Sequence, residues 1–342
     1  MELQRLAVSV GKSIFGDESV QLLDAKTLHN SSSRVHRLVF CVDGVPTTLF
    51  VKLPAITDKA GQFVERLRRE YTVTMQVKAA MLSNPELDTV TPAGYIEGID
   101  GLATWGVSGV VLEDLINKTL RLNFRGKNEH LSKLAGLAGC WLQRFHSLNL
   151  LECDNSVFNN LIAYCANRLD ELSRIEKSNI SKNLAESLKR TISGWIEDML
   201  AAPETKIILC HNDYSPHNII VTTEGICVLD FSFAGPGVPA FDLACFWHKL
   251  QDLKSSPFVK KRKVEILQNR FLDAYGQRLD GSRPEVKLGL ARLVLSKMLT
   301  VLRSHPLRPD KFLESRRRYA SYVALLKSEF EVTEMTSINT TI

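Results

Sequence analysis

The sequence predicts an α+β chain in two lobes, a small antiparallel-sheet lobe followed by a larger helical lobe. Three observations carry that expectation. Strand-like runs with turn signals crowd the first third of the 342 residues, and helical apolar periodicity fills most of the remainder. One polar loop, followed by a short strand pair, interrupts the helices. Strands and helices are segregated along the chain, which argues against alternating βαβ units.

The elements follow in order. Residues 19–28, 34–42 and 47–53 read as strands, the second and third rich in β-branched and aromatic residues. Between those two, Asp43-Gly44 is a hairpin signal, because such turns need the positive φ that glycine accepts. In residues 60–83, Phe63, Leu67 and Tyr71 recur at helical spacing. Residues 92–115 return to strand character and end in "GVVLEDL". After Lys127 the apolar face Leu131, Leu134, Ala138, Trp141, Leu142 and Phe145 marks a helix. A second helical region covers about 158–200, and helices resume from Phe241 to about Phe330. The expected division is a first lobe at 1–115 and a second at 116–342.

Composition narrows the class. Hydrophobic content of 44% and charged content of 24% are ordinary for a globular protein. A formal charge of +5 is too small to imply a nucleic-acid partner, and Tyr319 and Tyr322 are too few aromatics to make a basic stacking surface. The seven cysteines form no CxxC pair, which fits free thiols in a reducing compartment. The N-terminal stretch lacks a signal-peptide layout, and no run approaches the roughly 20 apolar residues of a membrane span. These features set the expectation of a cytoplasmic protein.

The interrupting loop is "CHNDYSPHNIIV", residues 210–221. It could be a metal site, a catalytic loop or a polar turn. His211 and His217, six apart, do not suit one helix face, and no cysteine pair completes a tetrahedral zinc set. Asp213 and Asn218 are followed by a second acid, Asp230. A strand-turn-strand over that interval would return Asp230 beside Asn218, and an amide and a carboxylate could then hold Mg²⁺, a hard cation that prefers oxygen. Asp213 would be left to orient a hydroxyl and accept its proton.

"HNDYSPHN" followed by "LDF" resembles the catalytic loop and metal motif of the protein-kinase-like fold, in the form used by the aminoglycoside phosphotransferase and choline kinase superfamily. The resemblance covers most of the chain. It implies a bilobal protein-kinase-like fold, with a nucleotide-binding first lobe and a second lobe carrying the catalytic loop and acceptor site. It makes Lys52 in "LFVKLP" the residue for the ATP phosphates, and Glu70, eighteen residues later, its helix partner. "VVLEDL" is similar to the hinge that binds adenine, which points to Glu113 and Leu115. Asn218 and Asp230 become the Mg²⁺ ligands, Asp213 the catalytic base and His211 a brace for the loop.

The departures are informative. No G-x-G-x-x-G precedes the second strand; Ser31, Ser32 and Ser33 occupy that place and could offer donors to phosphate. The loop carries Asn212 where many phosphotransferases have glycine, and the metal motif ends in Ser232. Eleven residues lie between Asp230 and Asp242, too few for a peptide-holding activation segment. "GPGVPAFDLACFW" resembles the family's short segment instead, and that resemblance implies that Asp242 fixes the loop through backbone contacts. A small-molecule hydroxyl compound is therefore the expected acceptor.

Which compound is less constrained. Arg292, Lys297, Arg303, His305, Arg308, Lys311 and Arg316 to Arg318 make the late helical stretch basic. That composition leans toward a sugar or related hydroxyl compound, with an amino alcohol or aminoglycoside as the alternative. "SRRRY" could also touch anionic lipid headgroups at a membrane surface. A catalytically weak nucleotide-binding regulator is a third reading, weakened by intact Lys52, Asp213, Asn218 and Asp230.

Overall fold

The computed structural model describes residues 2–16, 20–29, 34–54, 62–121, 128–148, 156–202, 206–304 and 312–330. By internal contacts the chain forms two compact units. The first comprises Met1–Asp114 with His217–Ala234, the second Leu115–Pro216 with Gly235–Ile342. The strand pair that follows the polar loop thus belongs with the N-terminal elements, although it lies more than a hundred residues later.

The first unit opens with helix α1 (Glu2–Phe15). The expectation of strands at the start overlooked it, although Leu3, Leu6, Val10 and Ile14 already carry a helical period. Strands β1 (Gln21–His29), β2 (Arg34–Val42) and β3 (Val45–Leu53) follow. Asp43 and Gly44 form the β2–β3 turn, both at positive φ (50° and 77°), as a two-residue hairpin turn of matching twist requires. Helix α2 (Gln62–Met81) precedes β4 (Leu87–Thr89), β5 (Pro92–Ile96) and β6 (Gly101–Trp105).

The main sheet is antiparallel in the order β1-β2-β3-β6-β5. Leu6, Ala7 and Val10 of α1 share a buried apolar core with Leu38, Phe40, Leu49 and Val51 of the sheet. Phe15 packs edge-on against Phe40 at 5.4 Å between ring centroids. Strand character after β6 ends at β7 (Val110–Val111); helix α3 (Leu112–Arg121) starts there, so the expected strand to residue 115 is too long. Leu112, Ile116 and Leu120 are buried at four-residue intervals, a helical and not an alternating pattern.

The second sheet of this unit has the order β4-β10-β9-β7, with β9 at Ile219–Val221 and β10 at Ile226–Val228. Val228 pairs with Ile219, and the Leu229 N–H donates to the Asn218 carbonyl at 2.9 Å. The hairpin therefore brings the chain next to Asp230 back alongside Asn218, as the sequence interval suggests.

The second unit is built of α4 (Asn128–Ser147), α5 (Ser156–Arg174), α6 (Lys182–Ala201), α7 (Pro239–Gln251), α8 (Lys261–Tyr275), α9 (Pro284–Ser304) and α10 (Phe312–Phe330). A short antiparallel pair, β8 (Ile208–Cys210) with β11 (Gly235–Gly237), sits among them. Helices α4 and α8 approach closely at Gly139, where an added Cβ would lie 2.2 Å from the Phe271 carbonyl oxygen. Residues of α5, α6, α7, α9 and α10 share one apolar core that includes Leu169, Leu188, Ala244, Leu295 and Val323. Among the described residues no helix is long and apolar enough to cross a membrane.

Candidate active site

In the first unit, Lys52 stands on β3 between Val35 of β2 and Leu102 of β6 in the sheet register. Its ammonium donates to both carboxylate oxygens of Glu70 on α2, at 2.8 and 3.1 Å, and to Asp230 Oδ1 at 2.8 Å. Glu70 is almost fully buried, while the Asp230 side chain keeps 31% of its surface exposed. Burial opposes the charge on Lys52, but Glu70 and Asp230 together outweigh it and raise its pKa. Burial pushes Glu70 up to about 7, against the pull of the Lys52 ammonium. For one ion pair those directions conflict; two oxygens on a single ammonium favour the charged pair.

This cluster lies on the wall of a cavity of about 350 Å³. Its apolar lining includes Val35, Phe50, Leu102, Val111, Ile220 and Leu229. An apolar slot with a few convergent charged groups is the usual form of a small-ligand site. Val107 and Val111 are the connector residues that reach it; Glu113 and Leu115 lie in the first turn of α3 and are not among its lining. Ser31, Ser32 and Ser33 fall outside the described residues.

Asp230 follows β10 at φ 62°, a left-handed conformation that is unusual for a residue with a Cβ. The Ser232 hydroxyl donates to Asp230 Oδ1 at 2.6 Å, which steadies the carboxylate in that turn. Ser232 is the residue that ends the metal motif, and its Asp-x-Ser spacing is the signal for such a side-chain-closed turn. Asn218 is buried and ends a short 3₁₀ turn, Pro216–Asn218. Asn218 and Asp230 offer an amide oxygen and a carboxylate, hard ligands whose chemistry fits a divalent cation that shares them with water and phosphate.

The second unit holds His211, Asn212 and Asp213. Asp242 at the start of α7 is fully buried and accepts the His211 N–H and the Asn212 N–H, each at 2.7 Å. His146 Nε2 lies 3.0 Å from Asp242 Oδ2, and His146 Nδ1 lies 2.9 Å from the Tyr275 hydroxyl. Asp242 therefore fixes the loop through its backbone, as expected. The His211 ring is buried edge-on to Tyr214, with centroids 5.8 Å apart. Tyr214 is itself buried, stacked on Trp141, and donates its hydroxyl to the Ala138 carbonyl at 2.7 Å.

Asn212 is the second non-glycine residue of the candidate site at a left-handed φ, 62°. Arg292 of α9 holds it, with Nη1 donating to the side-chain oxygen at 3.0 Å and Nη2 to the backbone carbonyl at 3.2 Å. Asp213 thus sits between two pinned neighbours, with its own side chain half exposed. That arrangement fits a group that must meet a ligand from a fixed position.

The basic stretch does not form one face. Arg292 turns to Asn212, Arg303 pairs with Glu171, and Lys297 is half buried, with burial and the neighbouring Lys249 ammonium lowering its pKa. His305, Arg308 and Lys311 lie outside the described residues. Arg292 entered the sequence reading only as one charge of that run, and its contact with Asn212 carried no local signal.

A sheet unit with a strand lysine, a helix glutamate and a hairpin acid, and a helical unit that carries the polar loop, are the parts of a kinase-type phosphotransferase. The chain matches the phosphotransferase enzyme family (APH) over residues 32–287 and belongs to that family. It is a small-molecule kinase whose acceptor is a hydroxyl group and whose donor is a nucleoside triphosphate. No match is found among curated protein sequences. Among solved structures it is similar to choline kinase from Cryptosporidium parvum (TM-score 0.62, 12% identity, 96% of each chain covered). It is also similar to Plasmodium vivax ethanolamine kinase (0.59, 15%, 94% of this chain and 88% of that one). The GDP complex of aminoglycoside 2'-phosphotransferase-IIIa is a third (0.59, 16%, 95% and 99%). At these identities the likeness is one of fold.

Proposed function

We propose that this kinase transfers the γ-phosphoryl group of Mg²⁺-bound ATP to a hydroxyl of a small molecule, a sugar or related hydroxyl compound. The observation that carries the nucleotide half is the Lys52–Glu70–Asp230 cluster on the wall of the apolar cavity. The cavity takes the base and ribose, and Lys52, positioned by Glu70, holds the phosphates. Asn218 and Asp230 would hold Mg²⁺, which when bound offsets charge on the β- and γ-oxygens. Asp213 orients the acceptor hydroxyl and takes its proton, while His211 and Asn212 keep the loop in place. The protein forms no covalent bond with substrate; positioning and charge stabilisation supply the acceleration. In this reading the nucleotide-binding lobe is residues 1–115 and the acceptor lobe 116–342.

The names of the similar structures favour a second acceptor class, amino alcohols or aminoglycosides. The test is Mg²⁺-dependent consumption of ATP, and of GTP in parallel, with a panel of sugars, amino alcohols and aminoglycosides. Asp213→Ala should lower turnover by about 10²- to 10⁴-fold and leave nucleotide affinity within a few-fold. Near-normal turnover in that variant would remove Asp213 from the reaction.

A further inference from the structure

Helix α5 carries Tyr164 and Arg168, and α9 carries Arg292, all half buried in the second unit. The Arg168 guanidinium carbon lies 4.5 Å from the centroid of the Tyr164 ring, and that of Arg292 lies 5.9 Å from it. Arg292 is also 6.0 Å from the Phe241 ring. Two guanidinium groups are thus gathered around one aromatic ring, and one of them is bonded to Asn212, the residue next to Asp213.

The acids that follow Arg168 on α5 are engaged elsewhere. Asp170 pairs with Lys189 and Glu171 with Arg303. Among the described residues neither Arg168 nor Arg292 has a carboxylate partner. Cys165, between Tyr164 and the next turn of α5, feels both: burial pushes its thiol up to about 12, and the two guanidinium charges pull against that. Partly buried like charges without counterions are costly unless something anionic binds them. Arginine is also the residue whose planar fork matches carboxylate and phosphate oxygens.

We infer that Arg168, Tyr164 and Arg292 form an oxyanion-recognition subsite in the acceptor lobe, so that the hydroxyl acceptor carries a phosphate or carboxylate group. This rests on the phosphotransferase reading above and narrows its acceptor class. Arg292 acts twice, holding Asn212 with both terminal nitrogens and placing a second positive charge by the Tyr164 ring. Arg168 meets only the Tyr164 ring among the described contacts, so its donors remain for the ligand. A cationic amino alcohol or aminoglycoside would meet repulsion at this place.

The experiment compares matched acceptors: neutral hexoses, hexose monophosphates, sugar acids and amino sugars. Turnover is measured with Mg²⁺-ATP, and binding of the same compounds is measured by calorimetry with a non-hydrolysable ATP analogue present. The expected result is a KM or Kd at least tenfold lower for one anionic set than for its neutral and amino counterparts. Which anionic set wins separates phosphate from carboxylate. Arg168→Gln should raise that anionic constant by roughly 10- to 100-fold, as the loss of charge-assisted hydrogen bonds does, and shift the neutral one less than threefold. Arg168→Lys should restore part of the difference. If Arg168 only caps Tyr164, the variant would change stability and not the anionic-to-neutral ratio, and the inference falls. It also falls if amino or neutral compounds are preferred, or if no anionic compound binds. Arg168-dependent anion binding without turnover would instead keep the subsite and overturn the proposed transfer to these acceptors.

Discussion

Asp230 and Asp242 come from one short stretch of chain and are held in opposite ways. Asp242 is fully buried and its oxygens accept two backbone N–H groups besides facing His146. Asp230 is about one-third exposed, stands on a left-handed turn, and shares one oxygen between Lys52 and Ser232. A carboxylate surrounded by fixed donors serves as scaffold, because its hydrogen-bonding capacity is spent inside the fold. A carboxylate held on one side and open on the other can meet a ligand. Burial and partner count distinguish the two roles where sequence type cannot.

The sharpest way to break that comparison is to remove each acid. Asp242→Ala strands one buried and one partly buried N–H group and leaves His146 without its acid, so it should cost about 3–5 kcal/mol of stability and lower turnover as a consequence. Asp230→Asn should change stability by no more than about 1 kcal/mol, yet reduce turnover at least about a hundredfold, since charge is lost where the cation and phosphates are handled. Denaturant unfolding beside kinase assays reads both. Equal stability losses would mean that the exposed acid is as structural as the buried one.

Much of this was legible before the structure. Lysine, glutamate, loop, asparagine and acid stand in a fixed order, and Asp43-Gly44 and the β9–β10 interval are written in short-range chemistry. The loop-fixing role of Asp242 followed from the family resemblance alone, since its partner Asn212 lies 30 residues away. Other features depend on what packs against what. The first turn of α3 reads as strand because "VVLEDL" is apolar enough for either, and only the burial of Leu112, Ile116 and Leu120 settles the period. Arg292 and Lys297 read as one basic run, although five residues apart they leave a helix on different faces. The Arg292–Asn212 contact joins positions eighty residues apart, and no local spacing announces it.

A smaller effect is expected at the lysine that Asp230 shares with Glu70. Lys52→Met removes the cation from a buried carboxylate, and Glu70 would take up a proton or lose stability by about 3 kcal/mol. Adding Glu70→Gln should recover most of that loss, while nucleotide binding stays weak in both variants. If the double variant is as unstable as the single, the ammonium stabilises the unit through Asp230 and the β10 turn instead of through Glu70. Thermal unfolding of the wild type and both variants, with nucleotide titrations, separates the two cases.

The smallest effect tests a buried group that lacks Asp242's full set of partners. His248 on α7 is buried, and its Nδ1 lies 3.5 Å from Asp252 Oδ1, long for a hydrogen bond. Burial lowers its pKa from 6.5; Asp252 pulls it up, and Lys297 and Lys249 push it down again. The unfolded chain therefore binds the proton more readily than the folded one. The stability held by the neutral ring is complete above pH 6.5 and is lost as pH falls through 6.5 toward the folded value. Denaturation midpoints at pH 7.5 and 5.5 should fall further in the wild type than in His248→Gln, whose side chain takes up no proton. Equal falls would mean that Asp252 compensates the charged ring, and that one weak partner serves this histidine as well as a full set serves Asp242.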